Sequence, residues 1–344
     1  MSFAAQPAMA PVAGAGNFSA EPLRLCPVAA FRGMRALLWH GKTLYTCRGY
    51  ELYRVEPAPR RFEWELVGRF RPAWWRRLSS SHQLGARLFR DGFHCLAKLA
   101  SGDLVGAVPG AIVRCSRGHD EFTITHRVQR GTRPLHIAST PDGRVFWGEY
   151  FDNRRRDEVH IYASADCGRT WEIAYTFPRG AIRHIHNIVF DEHDGRLWIL
   201  TGDEGDECKI LRASPDFSDI EVVLCGDQQA RAVALVPTSD AIYFASDTPL
   251  EANHVYRIDR HDGRTRSVAK IASSSIQGCR VGDSIFFSSM AEPSAINDTG
   301  SVRLYGSNGS DWQCLKQWRK DRWPMRFFQY GNVFLPTGRN QTDL

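Results

Sequence analysis

The sequence predicts an all-β fold built from repeated four-stranded units, and three observations lead to that prediction. A short apolar run introduced by a turn recurs along the chain, a second apolar run follows it, and no stretch keeps a helical period. Copies of the first run begin at seven positions, roughly 41 to 61 residues apart: Gly41, Gly102, Gly143, Gly195, Ser239, Gly282 and Gly331. A period of about 40–50 residues with four strands per unit is typical of a β-propeller blade.

The remaining strands of each unit are assigned from the runs that follow. We interpret the seven repeated runs as second strands and the six runs behind them as third strands, among them "LYRV" at Leu52 and "IYAS" at Ile161. A turn then leads to six fourth strands: "FEWELV", "FTITHRV", "WEIAYTF", "IEVVLC", "RSVAKI" and "WQCLKQW". Residues 325–338 are left as half of a blade, so seven blades are favoured and six are the alternative. The segment 23–28 is available to close the ring.

Length, charge and cysteine content indicate what kind of chain carries this fold. The 344 residues include 44 Lys and Arg against 38 Asp and Glu, and this net charge of +6 is interspersed, so no nucleic-acid partner is expected. The nine scattered cysteines contain no CxxC pair, which favours free thiols in a reducing compartment. Residues 1–22 lack a signal-peptide pattern and are predicted to be a disordered tail. Residues 23–344 are predicted to form one cytoplasmic domain without a membrane-spanning run.

One turn between a third and a fourth strand carries a specific motif. Residues 164–171 read SADCGRTW, which fills every fixed position of S-x-D-x-G-x-T-W with Ser164, Asp166, Gly168, Thr170 and Trp171. The motif resembles the Asp-box (BNR) repeat of sialidase-like β-propellers, and weaker versions stand at 116–122, 214–219, 259–265 and 307–312. The resemblance implies that the box lies on the face away from the active site. Its Asp and Ser side chains are suited to cap the turn, so Asp166 is expected to be structural.

The resemblance does not extend to the residues that define a sialidase. That family carries an F/Y-R-I-P segment near its start, whereas this chain has "FRGM" at 31–34. Desialylation is therefore not expected, and no sialidase residue is carried over.

Polar residues gather at one end of the predicted strands. In a propeller, the loops from strand 4 to strand 1 and from strand 2 to strand 3 lie on the same face, around the mouth of the central channel. The candidates for catalysis in these loops are His184, His186, Tyr150, Glu149, Asp203 and Asp247. The candidates for ligand binding are Arg133, Arg183, Arg231, Arg280, Gln229, Asn153, Asn187, Glu251 and Asn253.

These residue types favour an acidic oligo- or polysaccharide as the ligand, because arginines bind carboxylates through paired hydrogen bonds. A histidine base, an arginine that neutralises the uronate carboxylate and Tyr150 as proton donor would suit β-elimination. A glycosidase that uses Glu149 with Asp203 or Asp247 is equally open, because only the separation of the carboxyl groups would decide. The alternative is that the arginines only pair with rim carboxylates.

Two histidines also define a candidate metal site. His184 and His186 lie two residues apart on a predicted strand, so both side chains point to the same side. With Gln229 nearby they are candidates to hold a divalent metal, the one cofactor for which the sequence gives a reason. The alternative is that both histidines hydrogen-bond to neighbouring carboxylates.

The longest gap between repeats contains a basic insertion at 69–90. It holds six arginines, Trp74 and Trp75. If the segment is helical, Trp74, Trp75 and Leu78 share a face suited to a protein or a membrane surface. The alternative is a lid that packs the Trp pair onto blade 1 or 2. The rival to a carbohydrate-active enzyme is therefore a non-catalytic propeller that docks such a partner through the rim and this loop.

Overall fold

Four-stranded antiparallel sheets follow one another along the chain and form the blades of a β-propeller. The computed structural model describes residues 22–58, 61–298, 300–309, 311–328 and 330–342, so the predicted tail lies outside the described residues except for its last position. Within each blade, each strand pairs with the next in sequence, because the turn residues between the apolar runs bring consecutive strands side by side. No helix of the described residues is long and apolar enough to cross a membrane.

The described strands form six blades, whose bounds are as follows. Blade 1 contains β1 (Arg35–Gly41), β2 (Thr43–Arg48), β3 (Glu51–Val55) and β4 (Glu65–Phe70), and blade 2 contains β5 (Cys95–Lys98), β6 (Leu104–Val108), β7 (Ala111–Cys115) and β8 (Glu121–Arg127). Blade 3 contains β9 (Ala138–Ser139), β10 (Val145–Gly148), β11 (Val159–Ser164) and β12 (Glu172–Phe177), and blade 4 contains β13 (His184–Asp191), β14 (Arg196–Gly202), β15 (Lys209–Ala213) and β16 (Ile220–Cys225). Blade 5 contains β17 (Ala232–Pro237), β18 (Ala241–Ser246), β19 (Asn253–Asp259) and β20 (Thr265–Ile271), and blade 6 contains β21 (Ser275–Val281), β22 (Ser284–Ser289), β23 (Ser301–Ser307) and β24 (Trp312–Arg319).

The seventh blade favoured by the sequence is not formed by the described residues. The run at Gly331, interpreted as a seventh second strand, makes an isolated bridge to Ala291. The last strand, β25 (Thr337–Asn340), instead pairs in parallel with both β1 and β21. It fills the seam between the innermost strands of blades 1 and 6, where the hydrogen-bonding edges of both strands would otherwise be open. Residues 23–28, proposed to close the ring, form no strand.

The innermost strands surround a central channel, and the apolar core lies between the blades. Strands β1, β5, β9, β13, β17, β21 and β25 line a cavity of about 680 Å³. Outside it, side chains of neighbouring blades pack on each other, as where Phe146 of blade 3 and Ile185 of blade 4 join one buried cluster. This packing fixes the position of each strand end, and therefore of the loops that carry the polar residues.

The turn at 164–171, whose motif resembles an Asp box, forms a capped hairpin between β11 and β12. One carboxylate oxygen of Asp166 accepts the backbone N–H groups of Arg169 (3.0 Å) and Thr170 (2.9 Å), and the other accepts the Thr170 hydroxyl at 2.7 Å. Gly168 has a φ of +80°, which favours glycine. The indole of Trp171 donates to Thr125 Oγ1 of blade 2 at 3.1 Å, so the box also joins two blades. Every contact of the Asp166 carboxylate is internal to the turn, so Asp166 has a structural role.

The insertion between β4 and β5 forms two short helices, α1 (Trp74–Ser80) and α2 (Gln83–Phe89). Asp91, whose side chain is fully buried, anchors them by accepting hydrogen bonds from Tyr50 (2.9 Å), Arg76 (2.7 Å) and Ser79. The lid alternative expected the Trp pair to be packed, but 75% of Trp74 is exposed. The helical hairpin is therefore anchored through Asp91 and exposes aromatic side chains on its surface.

Candidate functional site at the channel mouth

The loops from fourth to first strands and from second to third strands meet on one face, which we call the rim face. His184 begins β13 there, and Asp203 directly follows its partner strand β14. A β-bulge lies between Ile185 and Asn187, so His186 has no direct partner on β14. Bulges redirect side chains next to functional sites. Here both imidazole rings and the carboxylate converge on one point.

The converging groups have a defined geometry, and we call His184, His186 and Asp203 the histidine–aspartate cluster. The Nε2 atoms of the two rings are 3.1 Å apart, and Asp203 Oδ1 is 3.5 Å from that of His184 and 3.2 Å from that of His186. Both histidines are buried, and the ring of Tyr150 lies 4.4 Å from that of His184. Burial lowers the pKa of His186, so its neutral form is favoured near pH 7.

Two arginines predicted to bind a ligand are already paired with carboxylates. Arg183 contacts Asp203 Oδ2 at 3.2 Å and Asp152 at 2.7 Å. Arg231 contacts Asp203 Oδ1 at 3.2 Å and lies 3.6 Å from Asp247. The alternative of internal pairing therefore describes these two residues.

Asp247 is a buried carboxyl group with an unusual protonation state. Burial raises its pKa to about 8, despite the Arg231 guanidinium beside it. Its Oδ1 atom has no hydrogen-bond partner among the described residues. A carboxyl group that stays protonated near pH 7 can donate a proton, and burial likewise raises the pKa of Tyr150. The site thus holds two proton donors of different acidity.

A second set of charged residues, which we call the arginine cluster, consists of buried Arg133 and of half-buried Arg35 and exposed Arg90, whose charges act on it. Arg133 precedes β9, is 8% exposed and makes no hydrogen bond or ion pair with another described residue. Burial, followed by the charges of Arg35 and Arg90, lowers its pKa to about 10. Arg35 donates to the carbonyl oxygen of His94 at 3.4 Å and lies over the ring of Phe334, but contacts no carboxylate of a described residue. Buried positive charge without a counter-ion is an environment for an anion.

Two histidines beside this cluster are uncharged at neutral pH. Burial lowers the pKa of His94 well below its usual range, and the charges of Arg133 and Arg35 lower it further. The pKa of His136 falls to about 4 through burial and the nearby Arg35. Since both imidazole rings are neutral near pH 7, the positive charge of this region is carried by the guanidinium groups.

The structure places other predicted site residues in structural roles. Glu149 is 2% exposed and is held by Arg130 and by the backbone N–H of His160. The side-chain amides of three asparagines donate to backbone carbonyl oxygens: Asn153 to Asp157, Asn187 of blade 4 to Val233 of blade 5, and Asn253 to Thr248. These four side chains make their contacts within the fold, and a role in ligand binding stays a prediction for them.

Three further predictions are displaced from the cluster. Gln229 donates to Glu251 at 2.6 Å and accepts from Tyr256 at 2.7 Å, so both ends of its amide are occupied away from the histidines. Asp203 takes the third position instead. Arg280 was assigned to a first-strand start, but β21 begins five residues earlier at Ser275, so Arg280 lies at the opposite end and pairs with Asp283.

Sequence reasoning missed Arg35, Arg90 and His94. Arg35 begins β1 and His94 directly precedes β5, so both obey the same rule of first-strand starts that selected Arg133. Arg90 ends the helical insertion, which was treated only as a docking segment. For Arg35 and His94 the signal is a polar residue at or directly before the start of an innermost strand.

Comparison with known proteins shows the fold and no closer relationship. No protein-family model and no curated protein sequence matches the chain. Among similar solved structures, a chain of a nidogen–laminin complex has a TM-score of 0.52 at 13% identity, covering 84% of this chain and 95% of that one. The GH74 enzyme of Niastella koreensis (TM-score 0.52, 15% identity) and a puromycin hydrolase (0.55, 10%) cover 83% and 84% of this chain. This chain spans 46% of each of those two longer chains. The protein is a β-propeller.

Proposed function

We propose that the rim face of this Asp-box propeller binds an acidic saccharide, with the sugar carboxylate at the arginine cluster. The observation that carries the proposal is Arg133, a residue only 8% exposed whose buried Nε has no hydrogen-bond partner and which makes no ion pair with another described residue. The charges of Arg35 and Arg90 also act on this group. A carboxylate bound there would supply the missing hydrogen bonds through paired contacts.

The surroundings of the arginine cluster support a saccharide rather than a bare inorganic anion. The ring of Tyr150 lies 4.4 Å from that of His184, so an aromatic ring with a hydroxyl group lies on the same rim face. Sugar rings pack on aromatic faces while their hydroxyl groups bond to polar neighbours. Tyr150 and Asp247 are the groups that would donate a proton to a leaving oxygen in hydrolysis or elimination.

The test is binding of oligogalacturonate, with maltohexaose as the neutral counterpart, measured by calorimetry. The wild type should bind the acidic oligosaccharide, and Arg133→Ala should weaken that binding by about 10- to 100-fold, as for loss of a charged hydrogen-bonding group. Arg280→Ala is the matched control, because Arg280 lies near the end of β21 that points away from the rim face and pairs with Asp283. Equal effects of the two substitutions, or equal binding of the neutral sugar, would overturn the proposal. New reducing ends without ultraviolet absorbance would indicate hydrolysis, and reducing ends with absorbance would indicate elimination. Neither signal would indicate binding alone.

A second candidate function is docking on an anionic membrane surface through the helical hairpin. Trp74 and Leu78 lie one turn apart on α1 with 75% and 65% of their surface exposed. Arg87 of α2 joins the hairpin to residues 320–328 through Asp321 and the ring of Phe328, which brings the 61%-exposed Phe327 into the same region. Exposed aromatic side chains among arginines suit anionic headgroups.

Sedimentation with phosphatidylglycerol vesicles tests this candidate, with phosphatidylcholine vesicles for comparison. Binding should depend on the anionic lipid and be lost in the double variant Trp74→Ser, Leu78→Ser. Ile173→Ser is the control, because Ile173 is 51% exposed on β12 of another blade. No vesicle binding by the wild type overturns membrane docking and favours a protein partner for the hairpin.

A further inference from the structure

We infer that the histidine–aspartate cluster is a binding site for one divalent transition-metal ion. The cluster brings three potential ligand atoms within 4.8 Å of one another: Nε2 of His184, Nε2 of His186 and a carboxylate oxygen of Asp203. The inference is independent of the acidic saccharide proposed above. It corrects the third ligand expected from the sequence, Gln229, to Asp203.

The hydrogen bonds of the two rings fix which nitrogen faces the centre of the cluster. His184 Nδ1 is 3.0 Å from the carbonyl oxygen of Phe151, and His186 Nδ1 is 2.9 Å from that of Ala232. A carbonyl oxygen only accepts hydrogen bonds, so each Nδ1 must carry its proton. In the neutral rings both Nε2 atoms are therefore bare acceptors, and they face each other and a carboxylate. A metal ion between these three atoms would bind all of them at once.

The spacing of the three atoms matches that of ligands around one ion. Two nitrogens bound to a metal at about 2.0–2.1 Å lie about 2.8–3.0 Å apart at an octahedral angle and about 3.3–3.4 Å apart at a tetrahedral angle. The two Nε2 atoms are 3.1 Å apart, and Asp203 Oδ1 is 3.2 Å and 3.5 Å from them. Each of these distances is close to the edge of a coordination polyhedron.

Groups outside the cluster hold its three members in place. The carbonyl oxygens of Phe151 and Ala232 orient the rings, and Arg183 holds the outer carboxylate oxygen of Asp203 at 3.2 Å. Such outer contacts are typical of metal-binding histidines and carboxylates. Arg231 also contacts Asp203 Oδ1, at 3.2 Å. A carboxylate oxygen has two lone pairs, so it can accept from Arg231 and still face an ion.

The donor set determines the class of ion. Two imidazole nitrogens and one carboxylate oxygen suit Zn²⁺, Mn²⁺, Fe²⁺ or Co²⁺, whereas Mg²⁺ and Ca²⁺ prefer oxygen ligands alone. Three protein ligands leave coordination positions for water or a ligand oxygen. The cluster lies at the channel mouth, so these positions face the rim.

The experiment is titration of chelator-treated full-length protein with Zn²⁺ against a chromogenic chelator, and with Co²⁺ followed by visible absorbance. We expect one ion per chain, and loss of affinity by at least about 100-fold in His186→Gln and in Asp203→Asn. His160→Gln is the control, because that ring bonds to Thr176 within blade 3. The exposed thiols of Cys225 and Cys314 are excluded as the site if the Co²⁺ spectrum lacks thiolate charge-transfer bands.

Each result either supports or overturns the inference. Wild-type protein that takes up neither ion overturns it, and so does uptake that all cluster variants retain. Asp203 also pairs with two arginines, so circular dichroism checks that its variant folds; if it does not, His184→Gln replaces it. Arg133→Ala should bind metal like the wild type, which separates this test from that of the saccharide.

Discussion

Replacing Arg133 by methionine should make the ligand-free protein more stable while removing its affinity for an acidic ligand. Most substitutions of a buried, interacting residue reduce stability. Arg133 is different because its guanidinium is buried without an ion pair or hydrogen bond among the described residues. Methionine keeps much of the length and the apolar contacts of the side chain but carries no charge.

The magnitude follows from the effect of the site on the charged form of Arg133. Its pKa falls from 12.5 to about 10, chiefly because burial removes the guanidinium from water. A change of that size corresponds to about 3 kcal/mol against the charged form. With an unfolding entropy of about 2 cal/mol/K per residue, 3 kcal/mol raises the Tm of a 344-residue chain by about 4 °C.

Differential scanning calorimetry at pH 7 measures this change, with Arg280→Met as the control. Arg280 donates to the Gly282 carbonyl oxygen at 2.8 Å and pairs with Asp283, so its loss should leave Tm unchanged or lower it. A Tm of Arg133→Met at or below that of the wild type would refute the reasoning, because the guanidinium would then be adequately solvated or paired. Oligogalacturonate should raise the Tm of the wild type but not that of Arg133→Met.

Three other predictions test the fold and the buried carboxyl group. Asp166→Ala should lower the free energy of unfolding by about 2 kcal/mol, because turn hydrogen bonds to a charged acceptor are lost, and denaturant titration would contradict this if the midpoint is unchanged. Gly338→Ala should weaken ring closure, since φ is +81° and a Cβ would lie 2.1 Å from the carbonyl oxygen of Trp39; a wild-type Tm would argue against the closing role of β25. Asp247→Asn should raise Tm more at pH 8 than at pH 5, because the folded pKa of about 8 exceeds the unfolded value of 3.8 and stability is lost as pH rises between them. An equal gain in Tm at both pH values would show that Asp247 is not protonated in the folded protein.

The sequence predicted the blades well because their signals are local. Each second and third strand is an apolar run bounded by turn residues, and the first six copies became strands β2, β6, β10, β14, β18 and β22. Ring closure is a long-range property. Whether Thr337–Asn340 pairs with the strand at Arg35 or starts another blade depends on edges about 300 residues apart in sequence, and no local pattern records them.

The site was predicted in outline and missed in detail for a related reason. The propeller topology alone brings the strand ends to one face, so the sequence was sufficient to select His184, His186 and Asp203 as site residues. Their separations are seen only in the structure. Which arginines are paired depends on which loop carboxylates reach them. Arg183 and Arg133 look alike in sequence, yet one contacts two carboxylates and the other none.

The contrast between the two sides of the rim bears on where a ligand binds. At Asp203 and Arg231, opposite charges neutralise each other, so an incoming anion would have to displace a carboxylate. At Arg133 nothing has to be displaced, and the unfavourable burial of its charge is relieved when an anion enters. A folded chain keeps an uncompensated buried charge against its own stability where function needs it. We therefore expect an anionic group to bind at the unpaired side of the mouth, facing the paired groups of the other side.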